Sequence, residues 1–150
     1  MTYIRFLKIN KAMKIDKRLI LLFEQSQNMV NELTSFCSKM NTKYYVNEGG
    51  CIWLAYIIAQ YLEEKQINYN VIKYYDEYDK LFHISLVVFG QIINPAMDAY
   101  NGYTKAETMT SKELKKENTK NEDARSFLWK QKYKTEIIKE FNSLKELFNK

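Results

Sequence analysis

The stretch NEGGCIWLAYIIA, residues 47–59, decides the fold of this chain because it joins a polar connector to the longest apolar run in the sequence. Two of the four glycines lie in it, directly before Cys51. From Cys51 onward the apolar side chains recur at steps of three and four residues, which predicts a helix over residues 51–65. The apolar run ends at Ala59 and is about half as long as a bilayer span, so we expect no membrane segment here.

Patterns on either side of this stretch predict an α+β domain. The preceding segment predicts a helix from Asp16, its N-cap, to Met40, with Cys37 as a small buried residue on its apolar face. β-Branched and aromatic residues then predict three strands at 69–75, 82–89 and 91–94, with a hairpin turn at Gly90-Gln91. Because these strands are consecutive, we expect a small antiparallel sheet against which the helix that begins at Cys51 packs.

The residues after Pro95 are richer in Lys and Glu, and apolar side chains between Phe127 and Phe148 predict a long C-terminal helix. The polar stretch 111–123 fits either a solvated helix or a mobile loop. With 150 residues, 46% of them hydrophobic, the chain is expected to form one domain with one core. Its parts are a helical N-terminal part (1–46), a core of Cys51 helix and sheet (47–98) and a helical C-terminal part (104–150).

The formal net charge is +5, and the basic excess lies in the two flanks. Residues 1–49 carry eight Lys/Arg against four Asp/Glu, residues 104–150 carry twelve against eight, and residues 50–103 carry three against six. With twenty Lys and only three Arg, the chain has few side chains for bidentate contacts to bases. Sequence-specific nucleic-acid binding is therefore not expected, whereas an acidic protein partner and non-specific nucleic-acid contact stay open for the flanks.

The small number of cysteine and histidine residues excludes several classes of protein. Two cysteines, Cys37 and Cys51, do not make a disulfide scaffold, and with one histidine a zinc cage would need mostly carboxylates. No glycine-rich phosphate loop is present, so we expect neither a metal nor an organic cofactor. The N-terminal apolar stretch, Leu19–Phe23, is too short for a signal peptide, which favours a cytoplasmic location.

Cys51 is the candidate nucleophile because it stands where glycines meet a helix start. The free N–H groups and dipole of a helix start favour a thiolate, so we expect a lowered pKa for Cys51. The glycines would let a substrate carbonyl approach, and the N–H of Cys51 could point at an oxyanion. The alternative reading is a flexible connector followed by the first buried residue of a helix.

The candidate base is His83, the only histidine, at the start of a predicted strand. Asn94 follows on the partner strand, where its amide could accept the imidazole Nδ1–H and direct Nε2 at the thiol. A turn at Gly90-Gln91 would set Asp98 opposite His83 and Asn94 opposite Val87, with both polar residues on the His83 face. We favour Asn94 as the orienting residue and keep Asp98 as its substitute.

The order Gly-Gly-Cys at a helix start, a His that opens a strand, and a glycine turn that leads to Asn resembles the papain-like cysteine peptidase superfamily. The likeness is to its minimal bacterial and phage members, including transglutaminase-like and cell-wall-peptidase branches, and it covers residues 47–98. The resemblance implies Cys51 as nucleophile, His83 as general base and acid, and Asn94 as the third member. The oxyanion-hole Gln of the family would fall at Tyr45, so Tyr45 or Asn47 is the candidate donor.

The resemblance implies a thiol hydrolase or acyltransferase that acts on an amide of a protein or peptide substrate: a peptide, an isopeptide, a glutamine side chain or a cell-wall crosslink. The alternative is a catalytically inactive papain-like fold that serves as an interaction or virion-associated protein, with its basic helical flanks docking an acidic partner.

Overall fold

The computed structural model of the protein describes residues 17–96, 102–120 and 124–149. The elements in these ranges are α1 (Lys17–Tyr44), a short 3-10 helix (Val46–Glu48), α2 (Cys51–Glu64), β1 (Tyr69–Tyr75), β2 (Leu81–Val88), β3 (Gln91–Ile93), β4 (Lys105–Met109), α3 (Ser111–Lys120) and α4 (Ala124–Phe148). The four strands form one antiparallel sheet in the order β3-β2-β1-β4. The predicted α+β class is therefore confirmed.

Helix α1 buries the predicted apolar face from Val30 onward, whereas Leu19 and Leu22 near its start are exposed. Val30, Leu33, Cys37 and Met40 are almost completely inaccessible, and their spacing is that of one helical stripe. The helix continues beyond Met40 to Tyr44, so it takes up part of the predicted connector. The predicted N-cap, Asp16, lies outside the described residues.

The β2–β3 hairpin differs from the prediction by one turn position. Phe89 and Gly90, with φ of 51° and 75°, form the two-residue loop, and Val88 pairs with Gln91. Positive φ at both central residues is the conformation that matches the twist of the flanking strands. The predicted turn at Gly90-Gln91 is therefore wrong, and the observed register continues to place Asn94 opposite Ser85 instead of Val87.

The prediction that the C-terminal part is helical is wrong for its first residues, because Lys105–Met109 forms the edge strand β4. This strand pairs with the outer edge of β1, from Val71 opposite Met109 to Tyr75 opposite Lys105. Only Met109 is buried, and exposed charged side chains are typical of an edge strand. For the polar stretch 111–123 the sequence predicted either a solvated helix or a mobile loop. The structure has a helix, α3, over residues 111–120.

The core lies between α2 and the sheet. Leu54, Ile58 and Leu62 of α2 are fully buried, as are Ile84 and Leu86 of β2. Because α2 is almost entirely apolar, burying it removes a large apolar area from water, which is the main favourable term in folding.

Helix α4 adds to this core by packing against α1. Its residues Ile137, Phe141 and Leu144 are buried, and the Phe141 ring centre lies 5.3 Å from that of Phe36. Phe127, which belongs to the predicted apolar face, is instead half exposed. In the described ranges, no helix has both the length and the apolar character that crossing a membrane requires.

Candidate active site

Cys51 is the first residue of α2, and the loop before it is fixed by backbone hydrogen bonds. The Gly50 N–H donates to the Val46 carbonyl at 2.8 Å, and the Leu54 N–H donates to the Gly50 carbonyl at 2.9 Å. Gly50 is the N-cap, so the Cys51 N–H belongs to the first turn, whose amides have no acceptor within the helix. The sulfur therefore stands beside a backbone donor that an oxyanion could use.

The structure brings the thiol and the imidazole together. The Cys51 Sγ lies 3.3 Å from the His83 Nδ1, and it also lies 3.7 Å from the Ile84 carbonyl oxygen. His83 has no exposed surface, whereas Cys51 is partly exposed as a residue. The two side chains come from the head of α2 and from the start of β2, which are adjacent because α2 packs on the sheet.

Asn94 lies on the other side of the imidazole and determines which ring nitrogen carries the proton. The His83 Nε2 is 3.2 Å from the Asn94 Oδ1, an oxygen that can only accept a hydrogen bond. Neutral His83 therefore carries its proton on Nε2 and has a lone pair on Nδ1, which faces the thiol. In this arrangement Nδ1 and the Ile84 carbonyl oxygen are the two acceptors within reach of the Cys51 S–H.

The ring orientation is the reverse of the predicted one, in which Nδ1 faced Asn94 and Nε2 faced the thiol. The sulfur lies close to the β2 backbone, as its contact with Ile84 shows. Nδ1 is the ring nitrogen nearer to that backbone, so it meets Cys51, and Nε2 extends to the partner strand. The substitute orienting residue, Asp98, lies outside the described residues.

Ser85 completes the polar group around the imidazole, although the sequence pattern assigned it no role. Its hydroxyl donates to the Asn94 Oδ1 in a short hydrogen bond and lies 3.3 Å from the His83 Nε2. Ser85 is fully buried. Its position two residues after His83, on the same strand face, was the signal that could have identified it.

Two further contacts restrain His83 and the chain that carries Asn94. The Tyr74 ring lies 5.3 Å from the His83 ring, and the two residues are cross-strand partners of β1 and β2. The Asn41 side chain donates to the carbonyl of Pro95, the residue after Asn94, so α1 holds the chain that carries the amide. These neighbours leave the imidazole little freedom to rotate.

Burial makes the resting pair electrically neutral. It raises the pKa of the Cys51 thiol to about 12, and it lowers the pKa of His83 below its ordinary value of 6.5. The direction for Cys51 contradicts the predicted lowering. Moving a thiol pKa from 9.0 to about 12 corresponds to roughly 4 kcal/mol, whereas a helix dipole contributes at most about 2 kcal/mol.

The two candidate oxyanion donors make their described contacts elsewhere. The Tyr45 ring is half exposed and its centre lies 6.2 Å from that of Tyr133 on α4. Asn47 is exposed, and its carbonyl accepts a hydrogen bond from Arg125 at 3.3 Å. Their role as oxyanion donors stays a prediction.

A cavity of about 690 Å³ lies away from this pair, between the end of α2, β1 and the start of α3. Its walls present the carboxylates of Glu63 and Glu113 and several amides and hydroxyls, but no thiol or imidazole. The contact between Cys51 and His83 therefore lies outside this cavity. Among the described residues, no three His, Cys, Asp or Glu side chains lie close enough together to hold a metal ion.

Comparisons with known proteins add no relative. A scan against protein-family models and searches of curated proteins and of solved structures each find no match to this chain. The resemblance to papain-like peptidases therefore stays an expectation from the motif residues.

Proposed function

We propose that this protein is a thiol hydrolase or acyltransferase that acts on an amide carbonyl through Cys51. The observation that carries the proposal is the contact chain from the Cys51 Sγ to the His83 Nδ1 at 3.3 Å and from the His83 Nε2 to the Asn94 Oδ1 at 3.2 Å. A nucleophile, a base and a group that orients the base are the elements of thiol catalysis.

The reaction begins from the neutral pair. As the Cys51 sulfur attacks the amide carbon, its proton passes to the His83 Nδ1, and the carbonyl oxygen becomes an oxyanion that the Cys51 N–H can stabilise. The intermediate collapses when the imidazolium gives this proton to the leaving amine, which departs and leaves a thioester on Cys51. Asn94 keeps its hydrogen bond to the Nε2–H throughout, so the ring stays oriented.

The thioester has two possible fates, and they separate the two activities in the proposal. Attack by water, with the His83 Nδ1 as base, releases an acid and makes the protein a hydrolase. Attack by an amine forms a new amide and makes it an acyltransferase. Both routes return the sulfur to a neutral thiol.

The test uses p-nitrophenyl acetate, an activated ester that reports nucleophilic thiols without knowledge of the natural substrate. We expect one equivalent of nitrophenol to be released quickly and the acetyl group to appear on Cys51 by peptide mass spectrometry. The Cys51→Ala and His83→Ala variants should lose this burst, while Cys37→Ala keeps it. A burst that persists in His83→Ala, or equal acetylation of both cysteines, would contradict the proposal. Added amines that speed deacylation would identify the acyltransferase.

The second candidate is an inactive fold that binds an acidic partner, and the complete burial of His83 favours it. In that case the exposed lysines of the C-terminal part, such as Lys115, Lys116 and Lys132, would form the contact surface. Reversing these charges would then abolish partner binding, and Cys51→Ala would leave it unchanged.

A further inference from the structure

The first turns of α4 are attached to the loop that leads into Cys51. The Arg125 Nε donates to the Glu48 carbonyl at 2.9 Å, and its Nη2 donates to the Asn47 carbonyl at 3.3 Å. The indole N–H of Trp129 donates to the Tyr44 carbonyl at 2.7 Å. Two side chains of the C-terminal helix thus bind carbonyls at the end of α1 and in the middle of the segment that leads to α2.

The backbone of this segment also fits closely against α4. A Cβ added at Gly49 would lie 3.2 Å from the Ser126 Cα, and one added at Gly50 would lie 2.3 to 2.5 Å from three ring atoms of Trp129. Gly49 has a φ of 139°, a conformation that few other residues adopt. The two glycines therefore allow α4 to approach the loop closely, and the backbone path of the loop depends on the position of α4.

These contacts bear on the thiol because Gly50 is directly bonded to Cys51. Any shift of the segment moves the head of α2 relative to β2, which holds His83 through its own contacts with Asn94 and Tyr74. A displacement of about 1 Å is enough to remove most of the benefit of a positioned catalytic group.

We propose that Arg125 and Trp129, here called the α4 clamp, are positioning residues that keep the Cys51 sulfur in reach of the His83 Nδ1. The clamp acts through the backbone of residues 44–50, to which its side chains donate hydrogen bonds. The inference rests on the proposed function, since it assigns to the C-terminal helix the control of that same site. A partner that pulled the start of α4 away would switch the thiol off.

The experiment measures alkylation of the full-length protein by iodoacetamide at pH 7, quantified separately at Cys51 and Cys37 by mass spectrometry. Arg125 is exposed, so Arg125→Ala is expected to fold, and Trp129→Phe removes the indole donor while keeping a ring. We expect Cys51 to react roughly tenfold more slowly in Trp129→Phe, which loses one hydrogen bond, and at least as slowly in Arg125→Ala, which loses two. Arg125→Lys, which keeps a cation but not the fork, should recover part of the rate.

The controls separate positioning from loss of fold. Lys134→Ala removes one positive charge from an exposed position of α4 and should leave the Cys51 rate unchanged. Cys37 is fully buried, so its alkylation reports opening of the whole structure. Rates at Cys51 within twofold of the wild type in both clamp variants, or a parallel rise at Cys37, would overturn the clamp. If His83→Ala also leaves the Cys51 rate unchanged, the proposed function itself fails.

Discussion

Replacement of Gly50 by Ala tests whether α4 packs on the head of α2 as closely as the structure describes. The added Cβ would lie 2.3 to 2.5 Å from the Cη2, Cζ2 and Cζ3 atoms of Trp129, whereas carbon atoms prefer about 3.5 to 4.0 Å. Gly50 has φ −106° and ψ −1°, which alanine adopts without strain. The effect of the substitution is therefore steric.

The expected size of the effect follows from this clash. Overpacking of a close-packed interior costs about 1 to 3 kcal/mol, and in a domain of this size 1 kcal/mol lowers Tm by about 2 to 4 °C. We therefore expect Gly50→Ala to lower Tm by about 2 to 12 °C. Gly102→Ala is the matched control, because a Cβ there meets no atom of the described residues within 4 Å. That variant should stay within about 0.5 kcal/mol of the wild type.

The assay is urea unfolding followed by far-UV circular dichroism, applied to a double-mutant cycle. Trp129→Phe removes the three ring atoms that the new methyl group would meet, so Gly50→Ala should cost at least about 1 kcal/mol less in that background. If Gly50→Ala is as stable as the wild type, or if the two substitutions are additive, the described packing of α4 on this loop is incorrect.

Three further outcomes follow from the buried groups. Because burial lowers the pKa of His83, the stability that this group contributes above pH 6.5 is lost as the pH falls through its folded-state pKa. The urea midpoint should therefore decline less between pH 7.5 and pH 5 in His83→Asn than in the wild type. Asn94→Ala removes the oxygen that accepts from the His83 Nε2–H, so long-range ¹H–¹⁵N NMR of the single imidazole should show a loss of the pure Nε2–H tautomer, and an unchanged tautomer would contradict the role of Asn94. Cys37→Ser buries a hydroxyl in an apolar site, and its unfolding free energy should fall by about 1 to 3 kcal/mol, against a smaller loss if the site were hydrated.

The parts of the fold that the sequence predicts are those with a strong local pattern. Helix α2 begins at Cys51, as expected, because glycines end one segment and apolar residues at helical spacing begin the next. Strand β1 spans Tyr69–Tyr75 as predicted, since β-branched and aromatic residues fill it. Strand β4 escaped prediction because it lies at an exposed edge and buries only Met109, so it has no apolar alternation.

The candidate site shows the same division between local and long-range information. The order of Cys51, His83 and Asn94 along the chain suggested that they meet, and the structure brings them together. Which ring nitrogen faces the thiol depends on the distance between α2 and β2. The periodicity of apolar residues in the sequence does not encode this distance. The contacts of Arg125 and Trp129 with residues 44–48 join positions about 80 residues apart, so no motif spacing reveals them.

The pKa of Cys51 is the clearest case in which a local rule failed. A helix start favours a thiolate, but the effect is smaller than the cost of removing the charged form from water. Under the proposed function, His83 therefore supplies the reactivity by accepting the proton during attack. This dependence makes the imidazole the decisive group of the whole proposal.

The most direct test of the Cys51–His83 pair is the pH profile of Cys51 alkylation in the wild type and in His83→Ala. With His83 as base, the wild-type rate should stay nearly constant from pH 7 to 9 and decline only as the pH falls through the folded-state pKa of His83, which burial holds below 6.5. In His83→Ala, the rate should rise about tenfold per pH unit over the same range, because a thiol with a pKa of about 12 reacts only through its small thiolate fraction. Identical profiles for the two proteins would contradict the account.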